Sequence, residues 1–287
     1  MTDESDRSPP EPTEIVPAEP EEERKDPNSM GFLDHLEELR WTIGKSVLVF
    51  AIIFVVMAVF LKDVAHVLNW PLNRAFENAG ERTGLVTTSP MAVFSVYLQV
   101  CFLGGLFGAL PFVLYFIGKF VAPALNPREA RILLPACIAS FILFIAGGSF
   151  AYFVLVPSAI KISVYFNKLL DFELIWSADR YYGLLSWMVL GMGAAFQFPM
   201  VIQILVFLGI VEVAQLKKIR RIMIVVFFLI AAIITPTPDP LTQSMVALPM
   251  IALYELSIQV AGRVARARAD GLEADRAEAE AEADEDK

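Results

Sequence analysis

Cysteine and histidine are scarce in this sequence, which contains two of each. Cys101 and Cys137 both lie within long apolar segments, so a framework of disulfide bonds is not expected. His35 and His66 lie at opposite ends of the first apolar segment, which excludes a metal site that uses both. The sequence also shows no phosphate-binding glycine loop and no Ser/His/Asp or Cys/His set. We therefore expect no catalytic residue, cofactor or metal ion, and no nucleic-acid partner.

Charged residues are rare within the apolar runs, and this indicates a membrane protein. Hydrophobic residues make up 56% of the chain and the mean hydropathy is +0.57. The net charge of −9 comes from the ends: residues 1–29 hold ten acids and three bases, and residues 270–287 hold nine acids and two bases. We expect a disordered acidic tail at 1–29, a membrane domain at 30–262, and a basic then acidic tail at 263–287. The last tail is also expected to be disordered, with a frayed helix as the alternative.

Six apolar segments predict an all-α integral membrane protein with six transmembrane helices. They are residues 41–61, 93–121, 132–156, 181–211, 222–234 and 245–254. Pro111 should kink the second span, and the third should carry Pro135 in its first turn. The kinked spans are expected to form a concave face. The fifth segment would be only about 20 Å long as a helix, against about 30 Å of hydrocarbon, so the last two spans should thin the bilayer or form a re-entrant hairpin.

The basic residues of the short connections predict the orientation. Lysine and arginine cluster at 119–131, at 217–221 and at 263–268, on the side that also holds Arg40. Because such clusters stay in the cytoplasm, both termini are expected to be cytoplasmic. The loops at 62–92 and 157–180 then lie outside, and their partly amphipathic patterns favour helices along the membrane surface.

An acidic patch precedes the first span. Asp34, Glu37 and Glu38 fall within about one helical turn and are followed by Arg40 and an interfacial Trp41. One interpretation is that these charges only keep the N-terminal end of the transmembrane helix in water. The other is a carboxylate cluster that binds a cationic partner at the membrane surface.

Several motifs, read together, resemble one known family. They are the HLEELR stretch with Phe32 and Leu33 before it, Pro71 in LNWPL, Ser89 with Pro90, FVAPALNPREAR at 120–131, FAYFVLVP at 150–157, ITPTPDPLTQ, and ALPM. This order, spread over about residues 30–262, resembles TatC, the polytopic subunit of the twin-arginine protein translocase. The resemblance implies a signal-peptide receptor and assembly core that exports folded proteins with the proton-motive force.

The resemblance also implies where a signal peptide binds. The two glutamates of the family's motifs correspond to Glu38 and Glu129, and the surface around them would include Leu36, Glu37, Arg40 and Phe120. A guanidinium binds a carboxylate through two parallel hydrogen bonds, which lysine cannot reproduce, so a patch of carboxylates suits a pair of arginines. The alternative for Glu129 is a salt bridge to Arg128 or Arg131.

The resemblance also implies roles for residues outside the signal-peptide surface. Thr235, Asp239 and Gln243 would dock the single-span partners TatA and TatB, whereas Pro71, Pro123 and Tyr152 are expected to be structural. Gln197 stands where many members have a glutamate within the membrane; it would polarise the concave face, hold a polar group of a partner, or join two helices.

The resemblance places the protein in the cytoplasmic membrane of a prokaryote, in contact with lipid and with other copies of itself. Two alternatives remain at this point. A secondary transporter for a small solute or ion would need ionisable or unwound sites near the midplane. A membrane scaffold without cargo would not need Glu38 or Glu129.

Overall fold

The structure is a computed structural model that describes residues 32–79, 84–122, 127–172, 175–207, 209–235 and 239–285. Its elements in chain order are α1 (Phe32–Val59), α2 (Leu61–Leu68), α3 (Trp70–Ala79), β1 (Leu85–Val86), α4 (Pro90–Val121), α5 (Pro127–Phe150), a π-helical turn (Ala151–Leu155), α6 (Val156–Leu169), β2 (Trp176–Ser177), α7 (Ala178–Ala195), α8 (Phe198–Phe207), α9 (Val213–Lys218), α10 (Arg220–Ile234) and α11 (Pro240–Glu285). The prediction of an all-α membrane protein is confirmed, apart from two strands of two residues each.

Helix α1 packs along α4, and glycines make this close approach possible. A Cβ atom at Gly104 would lie 2.8 Å from Met57 Sδ, and one at Gly108 would lie 2.8 Å from Ile53 Cγ2. Small residues let helices approach in lipid, where association depends on van der Waals packing. Ser89 caps the N-terminus of α4, because its hydroxyl accepts a hydrogen bond from the Ala92 amide.

The third and fourth spans differ from straight helices. The third begins at Pro127, so Pro135 lies inside α5 and not in its first turn, as the sequence had suggested. It continues through the π-helical turn into α6. The fourth is broken between α7 and α8, just before Pro199, a residue that removes one helical hydrogen bond.

One end of the bundle is closed by α2, α3, α6 and the two strands, which we call the cap. The cap lies at the end of α1 that is opposite its N-terminus. The amphipathic patterns predicted at 62–92 and 157–180 form α2, α3 and α6, and α3 packs against α6. Strands β1 and β2 join the two segments as a parallel pair, with Leu85 opposite Trp176.

Five helical stretches of the described chain are long and apolar enough to cross a membrane. They are His35–Val59, Pro90–Val121, Leu133–Leu169, Ala178–Val206 and Pro240–Arg263. Helix α10 has 15 residues and is about 22 Å long, which agrees with a short fifth segment. The number of crossings, the concave face and the side of the membrane that holds each terminus stay predictions.

The last helix is longer than the sequence pattern indicated. The apolar stretch at 245–254 is only part of α11, which continues to Glu285 through the tail expected to be disordered. Alanine, glutamate and arginine have high helix propensity, so this polar stretch can continue a helix without an apolar face. The tail at 1–29 lies outside the described residues.

Candidate functional site

Two aromatic rings bring the N-terminal turns of α1 against the end of α4. The His35 ring stacks on Phe120 with centroids 4.3 Å apart. Glu38 follows one turn later on α1 and is half-buried. Its Oε2 atom is inaccessible to solvent and accepts no hydrogen bond from the described part of the chain. A buried carboxylate oxygen without a donor is costly, so Glu38 is suited to a ligand that brings one.

The neighbouring glutamate has a different environment. Glu37 Oε1 accepts a hydrogen bond of 3.3 Å from Arg40 Nη2, and the two side chains are 63% and 72% exposed. The Arg40 guanidinium also lies 5.8 Å from the centre of the Trp41 ring. Glu37 and Arg40 therefore neutralise each other locally, and exposed Leu36 adds an apolar group beside them.

The second predicted carboxylate lies at the same end of the bundle. Glu129 is in the first turn of α5, but its side chain is outside the described part of the chain, as are Pro123 and the rest of 123–126. Helix α5 packs against the end of α4, where Cys137 Sγ donates to the Leu114 carbonyl at 3.3 Å. The convergence of Glu38 and Glu129 stays a prediction.

Gln197 lies at the break of the fourth span and binds α5. Its Nε2 donates to the Ser140 carbonyl at 3.0 Å, and the Ser140 hydroxyl donates to its Oε1. Both ends of the amide are thus occupied within the chain. This geometry favours helix joining over an open polar group for a partner.

The three polar residues predicted to dock partner helices also bond within the chain. Thr235 is buried and donates to the Ala231 carbonyl at 2.9 Å. Gln243 Nε2 donates to the Phe228 carbonyl at 2.8 Å and so ties α11 to α10. Asp239 Oδ1 accepts from the Thr242 amide at 2.8 Å, which caps α11.

A set of tyrosines holds the end of α2 in the cap. Tyr152 donates to the Val67 carbonyl, and Tyr181 donates to the Leu68 carbonyl at 2.5 Å. Tyr182 donates to Asn69 Oδ1 at 3.1 Å, while Pro71 is fully buried. Sequence reasoning named Tyr152 and Pro71 but missed Tyr181 and Tyr182; two adjacent tyrosines at the start of an apolar run are the signal that could have identified them.

Comparison with known proteins shows the family of this chain. The model described as "Sec-independent protein translocase protein (TatC)" matches residues 34–249. The chain belongs to the TatC family. The TatC protein of Koribacter versatilis is 36% identical over 81% of this chain and 85% of its own length. The chloroplastic TatC of Pisum sativum is 33% identical over 83% of this chain and 66% of its own length.

Solved structures agree with the sequence comparison. A crystal structure of TatC, described as the twin-arginine translocase receptor, superimposes with a TM-score of 0.68 at 32% identity. The superposition covers 80% of this chain and 99% of the crystallised chain. The family match supports a translocase subunit, and it does not support the small-solute transporter that the sequence left as an alternative.

Proposed function

We propose that this protein is the signal-peptide receptor and core subunit of a twin-arginine translocase, which exports folded proteins across the cytoplasmic membrane of a prokaryote. Membership of the TatC family supports this role. The observation that carries the receptor assignment is the environment of Glu38, which has a buried oxygen without a hydrogen-bond donor in the described chain. The proton-motive force would drive the transport.

Glu38 has the properties required to select arginine. A guanidinium can donate two parallel hydrogen bonds to one carboxylate, and it supplies the donor that Glu38 Oε2 lacks. Glu37 already accepts from Arg40, so a signal peptide would have to displace that contact to use it. We therefore assign the first arginine-binding position to Glu38, with Glu129 as the second carboxylate.

The partner assignments follow the same family relationship. TatA and TatB would dock beside α10 and α11, near Thr235, Asp239 and Gln243, and copies of the chain would associate with one another. In this arrangement both termini are cytoplasmic and the cap faces outward. Because the three docking residues bond internally, we expect the partner helices to contact mainly the exposed apolar side chains around them, such as Ile233 and Leu241.

Site-specific crosslinking of a twin-arginine signal peptide tests the receptor assignment. Glu38→Gln should reduce the apparent affinity by about tenfold, because one charge-assisted hydrogen-bonded contact is lost. The matched control Glu37→Gln, one residue away, should change it by less than about threefold. A peptide with two lysines should bind the wild type as weakly as the arginine peptide binds Glu38→Gln.

Two outcomes would contradict the assignment. Equal losses for Glu37→Gln and Glu38→Gln would indicate a diffuse acidic surface without a specific position. Undiminished crosslinking in Glu38→Gln, with Glu129→Gln also unaffected, would favour the scaffold without cargo recognition.

A further inference from the structure

A recess lies far from the carboxylates, where α6 and α7 meet at the cap. It encloses about 410 Å³ and is open on one side. Its lining is formed by Ala159, Ser163, Trp176, Arg180, Gly183, Leu184 and Trp187. Nearly all of the surface is apolar, and Arg180 is the charged member of the lining. We call this feature the α6–α7 recess.

The position of the recess along α7 predicts its depth in the membrane. Helix α7 starts at Ala178, where the fourth membrane-crossing stretch also starts. Arg180 is thus in the first turn, whereas Trp187 lies about 10 Å further along the helix axis. With Ala178–Val206 as a membrane-crossing stretch, the cation would lie at the level of lipid head groups and the apolar part of the recess at the level of acyl chains.

Arg180 is exposed and forms a long ion pair with the neighbouring Asp179 carboxylate. Its side chain is 88% exposed, and Nε lies 4.0 Å from the nearest Asp179 oxygen, which is longer than a hydrogen bond. The other Asp179 oxygen accepts from the Ser177 hydroxyl, so that carboxylate is held by its own turn. A guanidinium in this situation can bind a phosphate through two parallel hydrogen bonds.

The two tryptophans complete a pattern typical of a lipid contact. Trp176 precedes α7, and Trp187, which is 55% exposed, donates from Nε1 to the Ile233 carbonyl at 3.1 Å. That bond holds the indole ring in the lining of the recess. Tryptophan is enriched at membrane interfaces because it combines an apolar body with one polar group.

We propose that the α6–α7 recess binds an anionic phospholipid, with its phosphate on Arg180 and an acyl chain between Trp176 and Trp187. The charge of Arg180 at head-group depth and the apolar lining below it match the two parts of such a molecule. This inference is independent of the signal-peptide assignment, since the recess lies at the opposite end of the bundle.

Quenching of tryptophan fluorescence by brominated lipids tests the proposal. The full-length protein, with Trp41→Phe and Trp70→Phe so that only Trp176 and Trp187 report, is reconstituted in phosphatidylcholine vesicles. Brominated phosphatidylglycerol should quench at about a tenfold lower mole fraction than brominated phosphatidylcholine, as one charge-assisted contact implies. Arg180→Gln should remove that preference, and Arg180→Lys should retain only part of it.

Lys62→Gln is the matched control, since it removes one exposed positive charge at the same end of the bundle but outside the recess. It should leave the preference unchanged. Equal quenching by both lipids, a preference that survives Arg180→Gln, or an equal loss in Lys62→Gln would each overturn the proposal. Displacement of the lipid by soluble glycerol phosphate would also overturn it, because the site would then bind a free phosphate and not a lipid.

Discussion

A single amide side chain joins the broken fourth span to the third. Gln197 and Ser140 lie 57 residues apart and exchange two hydrogen bonds, one through the Ser140 carbonyl and one through its hydroxyl. This position therefore carries a neutral side chain with both polar ends satisfied within the chain. The two bonds connect α5 to the α7–α8 break.

A double-mutant cycle should reveal this coupling. Gln197→Leu is expected to lower the free energy of unfolding by about 1 kcal/mol, because hydrogen bonds between membrane helices contribute about that much. Ser140→Ala in the Gln197→Leu background should add much less than it does alone. The measurement is unfolding in detergent micelles, and fully additive effects would show that the two residues act separately.

At the scale of helices, glycines decide where α5 and α7 meet. A Cβ atom at Gly147 would lie 2.7 Å from the Met192 carbonyl oxygen and 2.7 Å from Phe196 Cγ. The carbonyl belongs to the backbone of α7 and cannot rotate away. Gly44 on α1 is the opposite case, since a Cβ there would meet nothing within 4 Å.

The two glycines make a matched pair for substitution. Gly147→Ala should destabilise the protein by about 2 kcal/mol through overpacking, whereas Gly44→Ala should leave stability unchanged or slightly higher. Thermal unfolding of both purified variants measures the difference. Equal melting temperatures would mean that α5 and α7 can separate without cost.

The cap depends on hydrogen bonds from α7 to α2. Tyr181 is fully buried and its hydroxyl donates to the Leu68 carbonyl. Tyr181→Phe should lower the free energy of unfolding by about 1 kcal/mol, because the carbonyl at the end of α2 loses its donor. It should also speed amide hydrogen exchange in α2 and α3. Tyr165→Phe, at a mostly exposed position of the same cap, should not change the exchange. Unchanged exchange in both variants would place the stability of the cap in its apolar packing.

For the whole molecule, the spans differ in length. Helix α10 is about 22 Å long, while α4 has 32 residues and is about 48 Å long. A hydrocarbon core of about 30 Å cannot match both, so we expect the bilayer to thin beside α10. Thermal stability in nanodiscs should therefore be highest with acyl chains shorter than the usual 18 carbons. A maximum at 18 carbons or more would indicate that α10 does not cross the membrane.

The sequence by itself determined the class of the protein and its family. Long apolar runs must be helical in lipid, because the backbone has no water to bond to, and the HLEELR and FVAPALNPREAR stretches carry the family resemblance. Apolar length also predicted the short α10, but it underestimated α11, because a polar helix of alanine and glutamate leaves no apolar signal.

Only the tertiary structure decided which polar groups are free. The pairing of Glu37 with Arg40 is local, three residues apart on one helix, but the sequence does not show that Glu38 has a buried oxygen without a donor in the described chain. The partner of Gln197 and the recess at Arg180 likewise depend on residues that are distant in sequence. Such contacts follow from how helices pack against one another, and no local pattern of residues specifies that packing.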